Sequence, residues 1–179
     1  MRARTSLCVL LAAALGLGFV AAGCGDDDSL EVEEGQPVEL GDLSYNVSIS
    51  RFLNPADPED RAYLVGQPQL PDDEQWFGVF MQIENDGDHA QAISNDFVVK
   101  DTDDNEFRPI PSESLFALDL GSTIEPDREL PESETTAAGG PIEGAMVLFM
   151  IDTAATENRP LVLHITGADG EVGEVELDV

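Results

Sequence analysis

Across 179 residues, 37 Asp and Glu face only eight Lys and Arg, a net charge of −29 at pH 7. Nucleic acid is excluded as a natural partner, because neutralising phosphates and releasing their counterions takes a basic cluster, and the sequence contains none. The same field opposes adsorption to anionic lipid surfaces, so attachment to a membrane would need a covalent anchor.

The chain opens with a positive stretch, Arg2 and Arg4, followed by an apolar run over residues 7–20. That is the layout of an export signal. As a helix the run would span about 21 Å, short of the ~20 residues needed to cross a hydrocarbon core. The small residues Ala21, Ala22 and Gly23 then stand directly before Cys24, and this ending resembles the lipobox of bacterial lipoproteins. The motif usually carries Leu where Ala21 stands, and here Val20 lies one place earlier. The resemblance implies that residues 1–23 are a cleaved signal peptide. Cys24 then carries a diacylglycerol and an acyl chain such as palmitate, holding the protein on the extracytoplasmic side of the cell membrane. The only other cysteine, Cys8, lies inside the leader, so residues 24–179 hold one thiol and cannot close an internal disulfide. That stretch keeps all 37 acids and only six basic residues, a net −31.

Residues 24–37 are expected to be the lipidated Cys and a flexible acidic linker, since so polar a composition buries too little surface to offset its ordering entropy. Residues 38–179 are expected to form one domain. Leu43, Tyr45, Val47 and Ile49 alternate with Ser44, Asn46, Ser48 and Ser50, the period-2 signature of a half-buried strand. Residues 54–74 carry Pro55, Pro58, Pro68 and Pro71 and read as a long surface excursion, with a short strand at most over 63–65. Residues 76–84 form a strong strand closed by the Asn85-Asp86-Gly87-Asp88 turn.

Residues 93–101 and 106–110 flank a polar turn and read as a hairpin, while 115–120 fit either a strand or one helical turn. Residues 123–138 are acidic and punctuated by Pro, with Leu130 pointing inward. Strands follow at 144–152, 161–166 and 172–179, the last two joined by Asp169-Gly170. Seven or eight strands without a helical period point to an all-β, antiparallel β-sandwich.

The order of lipobox, acidic linker, LSYNVSISRFLNP, WFGVFMQIENDGD, FVVKDTDDNEFRP, GAMVLFMID and PLVLHI resembles the telokin-like, immunoglobulin-like domain of unknown function found in bacterial lipoproteins. The resemblance covers residues 38–179 and implies a fold and a location but no activity. Trp76 stands about where immunoglobulin domains place a core tryptophan, without the cysteine pair such a residue packs against.

Candidate chemistry is sparse. Asp101, Asp103 and Asn105 offer oxygens at alternating positions, as the first ligands of an EF-hand loop do. Glu106 stands where that loop needs Gly, and Ser112 where it needs a bidentate Glu. A capped β-turn is the expectation, with a weak Ca²⁺ contact as the alternative. His89 and His164 are isolated, and no zinc spacing, G-x-S-x-G elbow or H-E-x-x-H motif occurs, so neither a metal site nor an enzyme is expected. The sharpest feature is apolar doubling. Trp76 and Phe80 lie on the face opposite Phe77, Val79, Met81 and Ile83, and Met146, Leu148 and Met150 oppose Val147, Phe149 and Ile151. A sandwich strand needs one apolar face only. Either residues 54–74 cover the second face through Tyr63, Leu64 and Leu70, or Trp76, Phe80, Met146, Leu148 and Met150 form a partner-binding surface. The expected function is a non-enzymatic binding or scaffolding module for an unidentified envelope protein; the alternative is a cation- or small-ligand-binding lipoprotein that uses its acidic loops.

Overall fold

The computed structural model describes residues 29–179, so the expected leader and Cys24 lie outside the described residues. In chain order the strands are β1 (Ser29–Glu33), β2 (Pro37–Leu40), β3 (Leu43–Leu53), β4 (Glu74–Asn85), β5 (Gln91–Ala92), β6 (Phe97–Lys100), β7 (Glu106–Phe107), β8 (Thr123–Ile124), β9 (Arg128–Leu130), β10 (Ala145–Asp152), β11 (Leu161–Thr166) and β12 (Val172–Leu177). Eight of them have four residues or more, in line with the seven or eight expected. One sheet runs β1-β12-β11-β6-β7; the facing sheet runs β10-β4-β3-β2, with β9 also on β4. The fold is a β-sandwich, antiparallel except where β1 runs parallel to β12.

That first strand corrects the expected linker. Residues 29–33 lie within the acidic stretch, yet Leu30 and Val32 alternate with Glu31 and Glu33, so one face can meet the core while the other stays wet. Val32 packs against the main core.

The inner faces of the two sheets supply that core. Tyr45, Val47, Phe77, Val79, Met81, Ile83, Phe97, Val99, Phe149, Leu163, Ile165 and Val175 are all buried within it. The Tyr45 hydroxyl accepts a hydrogen bond from the Ser94 backbone N–H at 2.8 Å, tying the sheets together through a buried phenol. Trp76 does not take the place of an immunoglobulin core tryptophan. It lies on the outer face, in a second buried cluster with Leu53, Tyr63, Leu64, Phe80, Phe116, Met146 and Leu148.

A bulge in β3 makes the second cluster. Val47 pairs with Met81, but Ile49 pairs with Phe80, so Ser48 is the extra residue and the inward-outward alternation reverses beyond it. Ser50 and Phe52 now point inward, while Ile49, expected inside, turns out and is 37% exposed. Arg51 and Leu53 reach the outer face. There Arg51 Nη2 meets Asp60 Oδ1 at 2.6 Å, and the other Asp60 oxygen accepts the Asn54 N–H at 2.7 Å. Asp60 is only 1% exposed, so these partners are what make its burial tolerable. The expected short strand at 63–65 is replaced by a single helical turn, α1 (Asp60–Tyr63), whose Tyr63 ring packs edge-on against Phe80 (5.0 Å) and Phe116 (4.8 Å).

Truncating Phe80 to Ala should lower the unfolding free energy by about 3–5 kcal/mol, as for a fully buried core aromatic. Urea denaturation measures it; a loss below about 1 kcal/mol would mean that the second cluster contributes little to the fold.

Candidate functional site

Four of the five residues expected to form a partner surface are used by the protein itself. Trp76, Phe80, Met146 and Leu148 are each at most 3% exposed, covered by Tyr63, Leu64, Leu70 and Phe116, and only Met150 keeps partial exposure at 37%. The covering excursion leaves an open groove of about 810 Å³ bounded by Phe52, Leu53, Leu64, Leu70 and the edge of Trp76. Beside it, residues 109–118 seal the free edge of β10. The Ile110 N–H donates to the Leu148 carbonyl (2.9 Å), the Leu118 N–H to that of Met146 (2.8 Å), and the Met146 N–H to that of Phe116 (2.7 Å). Residues 115–120 are therefore neither strand nor helix but an irregular strap held by a bridge between Ala117 and Met146.

The turn at Asp101 is built as a cap. One carboxylate oxygen accepts the backbone N–H groups of Asp103 (3.0 Å) and Asn105 (2.9 Å); the other accepts the side-chain amides of Asn105 (2.8 Å) and Asn158 (3.1 Å). Asn158 also donates to Asp103. Four N–H donors thus occupy the lone pairs that a cation would need, and Asn105, expected to offer an oxygen, presents its NH₂ group instead. Burial works to raise the Asp101 pKa, but the bonds from Asn105, Asn158 and Asp103 outweigh it and hold the carboxyl below its ordinary value.

The two histidines stay apart. His89 is exposed in the turn after β4, its carbonyl bonded to the buried Asn85 side chain. His164 lies half-buried on the outer face of the β1-β12-β11-β6-β7 sheet, 3.5 Å from Glu174, and burial lowers its pKa against the pull of that carboxylate. Carboxylates do gather at an open cleft of about 670 Å³ lined by Glu84, Asp86, Asp127, Glu129, Glu132 and Glu134. Among the described residues, no three His, Cys, Asp or Glu side chains converge to hold a metal ion.

One feature escaped the sequence reading: a row of glutamates on that same outer face. β1 and β12 pair Glu31 with Glu174 and Glu33 with Glu176, setting like charges side by side on neighbouring strands. The alternation Leu30-Glu31-Val32-Glu33 was its only signal, masked by the acidic residues on either side.

Because the folded Asp101 pKa is depressed, its contribution is full above the ordinary carboxyl pKa of about 3.9 and is lost as pH falls below it. Asp101→Ala should cost about 1–3 kcal/mol at pH 7, and the gap to the wild type should narrow below about pH 4. Urea unfolding at both pH values measures it. Millimolar Ca²⁺ at constant ionic strength should leave the wild-type Tm unchanged; a rise that Asp101→Ala abolishes would restore the cation reading.

No protein-family model matches the chain, and no curated protein matches it significantly in sequence. Solved structures share its fold. An uncharacterized β-sandwich protein from Clostridium difficile aligns with 84% of this chain and 95% of its own length, at 14% identity and a TM-score of 0.52. The putative lipoprotein ycdA from Bacillus subtilis aligns with 82% of this chain at 12% identity and a TM-score of 0.50, and this chain spans 39% of that longer one. At such identities the likeness is one of fold: the chain is a β-sandwich similar to bacterial proteins of uncharacterised role.

Proposed function

We propose that this chain is an exported lipoprotein, acylated at Cys24 and held on the extracytoplasmic face of the cell membrane, whose telokin-like, immunoglobulin-like sandwich is a non-enzymatic binding or scaffolding module. The observation that carries this reading is the sequence of the leader, in which a positive stretch, a 14-residue apolar run and Ala-Ala-Gly end at Cys24. The first described strand, β1, stands only five residues further on. Two further facts support it. Residues 25–179 contain no cysteine, so the only thiol left after cleavage is the one that acylation would consume. A sandwich of similar fold belongs to a putative lipoprotein. The diacyl anchor supplies the two chains that stable attachment takes.

A binding role for the sandwich rests on its surfaces rather than on a reactive centre. The apolar face beside Trp76 is spent on the second core, which leaves sheet edges, loops and the groove under residues 54–74 as contact surfaces. Among the described residues, cation or small-ligand binding by the acidic loops has the cleft at Glu84 and Asp127 in its favour, which Arg128 also lines and where no three carboxylates converge.

Expressed in a bacterial host, the wild type should incorporate an alkynyl fatty acid and partition into the detergent phase on cloud-point extraction. Cys24→Ala should do neither. Equal labelling of the two would overturn the anchor.

A further inference from the structure

We propose that the free edge of β1 receives an extended, basic segment of a partner protein, which adds a strand to the β1-β12-β11-β6-β7 sheet. Three observations converge on this edge. The first is the backbone. Among the described residues β1 pairs with β12 alone. The Glu34 N–H reaches the Glu176 carbonyl at 2.9 Å, so the alternation of a parallel ladder turns the N–H groups of Glu31 and Glu33 away from β12, toward the open side. The far edge of β10, by contrast, is sealed by residues 109–118, and β7 has only two residues to offer.

The second observation is charge. Glu31 and Glu33 are exposed and stand beside Glu174 and Glu176, and among the described residues the one basic side chain within 4 Å of any of the four is His164, 3.5 Å from Glu174. Burial lowers the pKa of that imidazole, against the pull of Glu174. A strand laid along β1 with Lys or Arg at alternate positions would place its cations beside Glu31 and Glu33 and relieve the repulsion. The third is the other face. Leu30 shares the inward side with the partly buried Val32, yet is 47% exposed. The alternate, apolar residues of the same incoming strand would cover it. Period-2 alternation of basic and apolar side chains is thus what the edge fits, with main-chain bonds for affinity and the side-chain rows for selectivity. Edge charges also guard against self-pairing, and here they select: a second copy would set Glu against Glu, whereas a basic strand is drawn in.

The inference rests on the sandwich being a binding module but not on its acylation, so wild type and Cys24→Ala, both full chains in neutral detergent, must bind alike. The probe is a short, fluorescently labelled peptide of alternating Lys and Val, followed by anisotropy at physiological salt. Its comparisons are a peptide of the same charge interrupted by Pro and an alternating Glu-Val peptide. Glu31→Pro removes an outward N–H without touching the bonds to β12, and it should weaken binding about tenfold or more at unchanged Tm. Glu31→Gln/Glu33→Gln should weaken it and flatten its salt dependence. In the wild type the Glu31 and Glu33 amides should gain protection from hydrogen exchange on binding, a readout that stands even if Glu31→Pro unfolds. Equal affinity for the Pro-interrupted peptide, full affinity in a folded Glu31→Pro, unprotected Glu31 and Glu33 amides, or self-association that buries the edge without peptide would each overturn the proposal.

Discussion

β4 and β10 lie side by side and are apolar on both faces, and that pairing constrains everything around it. Phe77, Val79 and Met81 with Val147, Phe149 and Ile151 need one cover; Trp76 and Phe80 with Met146 and Leu148 need another. Leaving either face in water would forgo about 1.5–3 kcal/mol for each large side chain. The second cover is assembled from pieces: α1, Leu70, Phe116, Ala137 and the strap at 109–118. Gly78 makes room at the centre, since a Cβ there would come within 3.1–3.2 Å of Phe80 and Leu53.

The β3 bulge is the device that joins the two covers. Without the extra residue at Ser48, Arg51 and Leu53 would face the inner core, where a guanidinium has no partner, and the excursion would lose both its apolar contact and its ion pair with Asp60. One inserted residue thus converts a half-buried strand into one that serves the inner core with its first half and the outer core with its second.

Much of this was legible in the sequence and some was not, for definable reasons. The strands at 43–53, 74–85, 145–152, 161–166 and 172–177 announce themselves because period and composition are local properties of the strand that carries them. The bulge is invisible, because it exists only in the register between β3 and β4. The covering of Trp76 was foreseeable as one of two alternatives, since residues 54–74 hold the right apolar side chains, but which face they close depends on Arg51 reaching Asp60. β1 was missed because average composition hid an alternation of only four residues, and the Asp101 turn was half read: its spacing suggested ligands, whereas hydrogen-bond direction makes Asn105 a donor. The alternation in β1 hinted at one half of the glutamate row, but the pairing with Glu174 and Glu176, far away in sequence, exists only in the parallel register of β1 and β12.

The short stretch of sequence between Cys24 and β1 has a consequence for how the protein would stand on a membrane. Between Cys24 and Ser29 the chain can extend no further than about 18 Å, against a screening length of about 8 Å at physiological ionic strength. A domain of net charge −31, leashed through an acylated Cys24, would never be more than roughly two screening lengths from the lipid headgroups at its point of attachment. Over an anionic lipid surface its stance would then be governed by repulsion rather than by contact, strong in dilute salt and weak in concentrated salt.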